Sequence, residues 1–270
     1  SIQSLCIIVN VYTRLIIYKI YNSFLSKFHN AGSYCSNYIL KSTSFNHICI
    51  FIVFYSIDIS SLRKYIVNVY TIYKGGFFSM NTKQLGKSDV MVSDQIFGCW
   101  AIGGTYFTGA EDEKSVAAIR EAIESGITSL DTAYIYGKGH SEQIVARSIK
   151  GYDRSKLTLI TKLWKDWMPK DLVETACDQS LKDLDTDYID VYFIHYPSDT
   201  GVPIADTMEA MMKLKEKGKI RCIGVSNFSK DQLIEACKYG QIDVIQPCYS
   251  LLWRFLDLEE MDYCIENQIG

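Results

Sequence analysis

The sequence predicts an α/β protein whose working part, residues 80–270, is a (β/α)₈ TIM barrel with about six of its eight βα units present. Three observations carry that prediction. Strand-length apolar runs begin near 128, 157, 188, 221 and 243, and a helical pattern separates each from the next. Alternation at about 30 residues means βαβ units and a parallel sheet. The G-x-G-x-x-G turn of a doubly wound dinucleotide fold is absent, since Gly98, Gly103 and Gly104 do not fit its spacing. Finally, Asp131, Lys162, His195, Ser226, Asn227 and Gln246 each fall at or near the end of a predicted strand. A barrel gathers its chemistry there.

Each element has its own signal. Residues 95–100 supply a first strand. In 112–125, Val116, Ile119 and Ile123 share a helical face, acids open the segment and Gly126 closes it. Residues 127–133 form a short apolar stretch that includes Asp131. Ser141 is placed to cap a helix running to Ile149, with Gly151 behind it. Residues 157–163 (LTLITKL) read as a strand, and 171–184 as a helix with Val173, Ala176, Ser180 and Leu184 on one face. A strand over 188–195 (YIDVYFIH), a helix over 206–217 and a strand over 221–226 follow. Ser229 caps a helix to Tyr239, and 243–249 is the last strand.

Composition divides the chain. Residues 1–79 hold seven Lys/Arg and one acid, Asp58, for a net charge of 7 − 1 = +6; the remaining residues carry 21 basic and 30 acidic groups, or −9. The first segment is rich in Ile, Ser and Tyr and has one Ala, no Pro and no Met. Its apolar run 48–55 falls well short of the roughly 20 residues that span a bilayer. Such a bias is what AT-rich DNA encodes when translated in frame. Lys74-Gly75-Gly76 can be encoded by a ribosome-binding sequence just before Met80, the first methionine. Residues 1–79 are therefore expected to be an upstream translated or unstructured segment, and residues 80–270 the working domain. The overall charge of −3 gives no reason to expect nucleic acid or an anionic membrane as partner. Nine cysteines without a C-x-x-C pair, and no His/Cys clustering at ligand spacing, imply free thiols in the cytoplasm and no metal site.

Residues 80–270 resemble the aldo-keto reductases. The likeness rests on FGCWAIGG (97–104), LDTAYIYGKGHSE (130–142), LITKLW (159–164), DVYFIHYP (190–197), GKIRCIGVSNF (218–228) and DVIQPCYSLLWR (243–254), in the family's order and spacing. The resemblance implies a catalytic tetrad of Asp131, Tyr136, Lys162 and His195, reducing aldehydes or ketones with NADPH, NADH being possible. It implies that Ser226, Asn227 and Gln246, together with Asp131, hold the cofactor, and that Trp100 and Trp164 line the substrate pocket. The residue types suit the chemistry. A carbonyl takes a hydride at carbon and a proton at oxygen. A tyrosine, with an ordinary pKa of about 10, becomes a better acid if a lysine ammonium favours its anion. Asp131 would pair with that lysine, and His195 would hydrogen-bond the carbonyl oxygen. Taken singly, Lys162 could be a surface charge and His195 a satisfied, half-buried histidine. His140, before a helix start, reads as structural.

In one respect the sequence departs from the family. It reaches Gly270 where CIENQIG would lead into a seventh strand. The expectation is a truncated barrel that lacks the adenosine-gripping loops. Two alternatives to the reductase follow: a catalytically inactive fragment, or a barrel acting as a binding or regulatory subunit. The carbonyl substrate and the oligomeric state are not legible.

Overall fold

β-Branched and aliphatic residues crowd the strand segments, and their alternation decides what faces inward. The computed structural model describes residues 80–104, 111–258 and 260–270. Of the two units into which the chain divides, these belong to the one spanning Phe78–Gly270. The expectation for residues 1–79 lies outside the described residues.

A hairpin comes first, β1 (Thr82–Gln84) against β2 (Met91–Ser93), antiparallel. Six parallel strands follow: β3 (Ile96–Gly98), β4 (Ser129–Asp131), β5 (Thr158–Leu163), β6 (Ile189–Ile194), β7 (Ile220–Ser226) and β8 (Val244–Gln246). They lie side by side in chain order, with every neighbouring pair parallel, so the sheet is the strand wall of a (β/α)₈ barrel over six units. The crossovers carry α1 (Asp112–Glu124), α2 (His140–Ile149), α3 (Lys170–Leu184), α4 (Ile204–Glu216) and α5 (Lys230–Cys237). The short helices α6 (Phe255–Leu258) and α7 (Met261–Asn267) come after β8. The ladder continues beyond β8, where the Ile245 amide donates to the Gly270 carbonyl at 2.8 Å and the Gly270 amide to the Asp243 carbonyl at 2.9 Å.

Both faces of β5 and β6 are covered, and all six residues of each strand are buried. Strand alternation sorts them. Ile160, Val191, Phe193, Cys222 and Val244 form one cluster with Val90 of the hairpin loop, while Leu159, Leu163, Tyr192 and Ile194 pack in a second cluster with Val173, Met208 and Met211 of the helices. Gly224 leaves room for Phe193, whose ring would lie 2.4 Å from a Cβ placed there. The hairpin is bolted to the strand starts. Thr158 Oγ1 donates to the Met91 carbonyl at 2.7 Å, and the Ser93 amide donates to Ser129 Oγ at 2.9 Å. That plugs one end of the sheet and leaves the C-terminal ends of the strands as the open one.

Several expected boundaries move for identifiable reasons. The last strand ends at Gln246 instead of 249 because Pro247 has no N–H to donate. The first strand stops at Gly98 and gives way to a 3-10 turn, Trp100–Gly103. Ser141 does not cap α2; Gly139, at φ 92°, holds that position. The Ser141 hydroxyl instead donates to the Cys99 carbonyl at 3.1 Å and accepts from Thr132 Oγ1 at 2.9 Å, tying α2 to the ends of β3 and β4. Ser229 does cap α5, with a full capping box through Gln232, although the helix ends at Cys237. The hairpin was not anticipated. All six described cysteines are free, and Cys248 is exposed.

Asp190, at the start of β6 and 1% exposed, joins three elements. Its carboxylate accepts from Arg154 Nη2 and from Arg221 Nη1, each at 2.7 Å, and from the Leu159 amide at 2.9 Å. Asp190→Ala takes the buried carboxylate from two guanidinium groups, which keep the Thr186 hydroxyl, the Leu157 and Tyr188 carbonyls and Asp89, and leaves the Leu159 backbone N–H without its acceptor. It should lower unfolding free energy by about 3 kcal/mol, the usual scale for breaking a buried pair. Urea unfolding of the variant checks this, and a loss below about 1 kcal/mol would mean the network behaves as a surface one.

Candidate active site

Four strand ends converge at the open mouth. Asp131 is the last residue of β4, Lys162 lies one residue before the end of β5, His195 follows β6 and Ser226 ends β7. Inward alternation along β5 puts Lys162 on the same face as Ile160. Its side chain is 1% exposed, so it is not a surface charge. Lys162 Nζ donates to Asp131 Oδ1 at 2.5 Å and to the Thr132 carbonyl at 2.8 Å. The second oxygen, Asp131 Oδ2, accepts from Gln246 Nε2 at 3.3 Å.

Tyr136 stands in the loop after β4. Lys162 Nζ is 5.2 Å from its ring centroid, and the His195 ring meets it edge-on at 5.8 Å. The structure thus brings Asp131, Tyr136, Lys162 and His195 together. Trp100 and Trp164 border the same group, the first 6.3 Å from Tyr136 and the second edge-on to His195 at 5.5 Å. Tyr196, which sequence reasoning passed over, stacks on His195 at 5.1 Å and meets Trp164 at 5.8 Å. Its only signal was adjacency to His195.

Ser226, Asn227 and Gln246 form a connected run. Asn227 Nδ2 donates to the His195 carbonyl and to Ser226 Oγ, both at 3.0 Å, and Ser226 Oγ donates to the Gln246 carbonyl at 2.8 Å. Asn227 adopts φ 61°, a left-handed conformation that asparagine tolerates, and this turns its amide back over the strand end. A hydroxyl and two side-chain amides, none of them ionisable, are a donor and acceptor set suited to a neutral amide such as a carboxamide. Among the described residues no three His, Cys, Asp or Glu side chains gather as metal ligands. No described helix is long and apolar enough to cross a membrane.

Electrostatics at the mouth correct one expectation. Lys162 was expected to make Tyr136 more acidic. Burial instead pushes the phenol above its usual range, and the Asp131 carboxylate adds to that. The lysine charge is held against Asp131 and the Thr132 carbonyl. His195 is pushed down to about 3, first by burial and then by the Lys162 charge, so its imidazole is neutral at physiological pH. Its Nδ1 is buried without a partner among the described residues. Burial also raises the Cys99 thiol, which stays protonated beside Asp131 and Lys162. His140 starts α2 and meets Asp112 Oδ1 at 3.0 Å, linking α2 to α1.

Beneath β5 lies a second buried group. Thr161 points away from Lys162 and donates to Glu142 Oε1 at 2.6 Å. Glu142 is fully buried, and that burial raises its carboxyl from 4.5 to about 7. Between those values the folded chain keeps a proton that the unfolded chain has lost, so stability falls as pH rises through the window and levels off above it. The Glu142 contribution between pH 5 and 8 is roughly 2–3 kcal/mol. Glu142→Gln should remove that part of the pH dependence while preserving the Thr161 hydrogen bond. Urea unfolding of both proteins at the two pH values measures it; identical pH slopes would contradict the assignment.

The sequence profile described as the Aldo/keto reductase family matches residues 96–270. Among curated proteins, the chain is 42% identical over 181 residues to aldo-keto reductase YhdN of Bacillus subtilis, covering 64% of this chain and 54% of that protein. It is 34% identical over 208 residues to the NADH-specific methylglyoxal reductase of Escherichia coli, covering 68% and 64%. The chain thus spans between about half and two thirds of the length of these relatives. Among solved structures, a thermostable aldo-keto reductase bound to the inhibitor epalrestat superposes with a TM-score of 0.66 at 34% identity, covering 71% of each chain. An aldo-keto reductase from Klebsiella pneumoniae in complex with NADPH superposes with a TM-score of 0.63 at 31% identity, covering 71% of this chain and 66% of that one.

Proposed function

The chain belongs to the aldo/keto reductase family, and from that premise we propose that it reduces an aldehyde or ketone to the alcohol with NADPH, NADH serving as an alternative. The observation that carries the proposal is the buried Lys162–Asp131 pair beside the Tyr136 ring, with a neutral His195 edge-on to the same ring.

When bound, a reduced nicotinamide supplies the hydride. Ser226, Asn227 and Gln246 are the residues that would hold its carboxamide, and their neutral donor and acceptor set fits that group; Asp131, bonded to Gln246, completes the cofactor side of the site. Trp100 and Trp164 give the carbonyl compound flat apolar walls. A neutral imidazole carries one N–H, and His195 gives it to the carbonyl oxygen, fixing where that oxygen sits. As the carbonyl carbon gains the hydride, its oxygen becomes basic and takes the Tyr136 proton. A phenol is a stronger acid than an aliphatic alcohol, so this transfer runs downhill even with the phenol raised by burial. The tyrosinate left behind lies near the Lys162 ammonium, and a proton from solvent restores the phenol. Asp131 keeps Lys162 in place throughout.

The working domain is placed at residues 80–270, with residues 1–79 outside the reaction, and the compartment at the cytoplasm. The six free thiols among the described residues support the compartment.

Oxidation of NADPH by the purified chain across a panel of aldehydes and ketones tests the reading. Tyr136→Phe keeps the ring and removes only the proton. It should reduce turnover by about 10²–10⁴-fold, the usual worth of a general acid, with NADPH binding retained by fluorescence quenching. Turnover that survives the substitution would place the proton donor elsewhere.

A further inference from the structure

Gly103 closes the 3-10 turn that carries Trp100, and its backbone lies directly against that of Tyr136. A methyl group at Gly103 would stand 2.4 Å from the Tyr136 carbonyl carbon, 2.7 Å from its Cα and 2.8 Å from the Gly137 amide nitrogen. The approach is reciprocal, because a methyl at Gly137 would stand 2.5 Å from the Gly103 carbonyl oxygen. The two glycines in the turn are needed for different reasons. Gly104 sits at φ 71° with open space around it, so only its backbone conformation favours glycine. Gly103 has no left-handed φ, and only the nearness of the Tyr136 peptide excludes a side chain.

The Tyr136 backbone is also held by hydrogen bonds. The Tyr136 amide donates to the Ala133 carbonyl at 3.0 Å, and its own carbonyl accepts from the Ser141 amide in the first turn of α2 at 3.2 Å. Ser141 in turn bonds the Cys99 carbonyl, just before the Gly103 turn. The Tyr136 backbone is thus clamped between α2 and Gly103.

We infer that Gly103 is a positioning residue for Tyr136: its bare backbone sets how closely the Trp100 turn approaches, and so where the phenol stands relative to Lys162 and His195. The inference rests on Tyr136 being the proton donor. Relaxing a 2.4 Å approach to an ordinary 3.4 Å contact moves one backbone or the other by about 1 Å. A misplacement of that size at a reacting group costs about 10²-fold in rate.

The test is Gly103→Ala in the full chain, read by crystal structure and by kinetics with NADPH and an aldehyde panel. Gly240→Ala is the control, since a methyl there meets the flexible Met212 side chain. The expected result is a Tyr136 Cα displaced by more than about 0.5 Å and kcat reduced by about 10²-fold. NADPH affinity should be unchanged, and C4-deuterated NADPH should give a larger primary isotope effect than with the unsubstituted chain. The control should match the unsubstituted chain in all four. If the Trp100 turn yields instead, with Tyr136 in place and kcat preserved, the inference is overturned. If the unsubstituted chain itself shows no turnover, the reductase reading fails, and the displacement of Tyr136 alone decides the inference. Should Gly103→Ala not fold, Ser141→Ala releases the hydroxyl that ties α2 to the Cys99 carbonyl ahead of the Trp100 turn and so loosens the same approach without adding a methyl; an unmoved Tyr136 with kcat preserved in that variant overturns the inference.

Discussion

The interaction on which the mouth of the sheet depends is the ion pair between Lys162 and Asp131. A lysine with 1% of its side chain exposed loses hydration that only well-placed acceptors replace, and here they are the Asp131 carboxylate and the Thr132 carbonyl. Such a pair contributes little net stability, because desolvation offsets most of the attraction. What it fixes is position. Asp131 ends β4 and Lys162 nears the end of β5, so the pair locks two neighbouring strand ends in register. Gln246 extends the lock to β8 through Asp131 Oδ2.

Around that pair the rest of the unit acts as a frame. The hairpin plugs the opposite end through Val90 and the Ser93–Ser129 and Thr158–Met91 hydrogen bonds. Strand alternation lets β5 serve two faces at once, with Lys162 turned into the mouth and Thr161 turned out to Glu142 on α2. The same helix, through Ser141, holds the Cys99 and Thr132 ends. Tyr136 therefore hangs from a loop fastened at both ends, and its placement follows from backbone contacts more than from its own side chain.

The parallel sheet was legible because its signals are local. Apolar runs spaced at about 30 residues, with glycines closing the helices, need no tertiary knowledge to read. The polar strand ends were legible for the same reason, since a polar residue of one kind or another recurs at the same place in each unit. Other features were not. Ser141 looks like a helix cap in sequence, and only the nearness of Cys99 and Thr132 redirects its hydroxyl. Lys162 beside a tyrosine suggests a lowered phenol, but burial and Asp131 outweigh it, and depth is not written in a motif. The β1–β2 hairpin has strands of three residues, too short to show alternation. Glu142 passes as an ordinary first-turn acid until α3 and β5 close over it. Gly103 and Gly104 are the same residue in sequence, and only the structure shows that one faces the Tyr136 backbone while the other takes a left-handed φ.

On the proposed mechanism Lys162, held by Asp131, accommodates the negative charge left on Tyr136 when the proton moves. Lys162→Met removes the charge and keeps most of the side-chain length. Steady-state oxidation of NADPH by this variant, with cofactor binding followed in parallel, measures that role of Lys162. Turnover should fall by about 10²-fold or more with cofactor binding retained. Turnover close to that of the unsubstituted chain would contradict it.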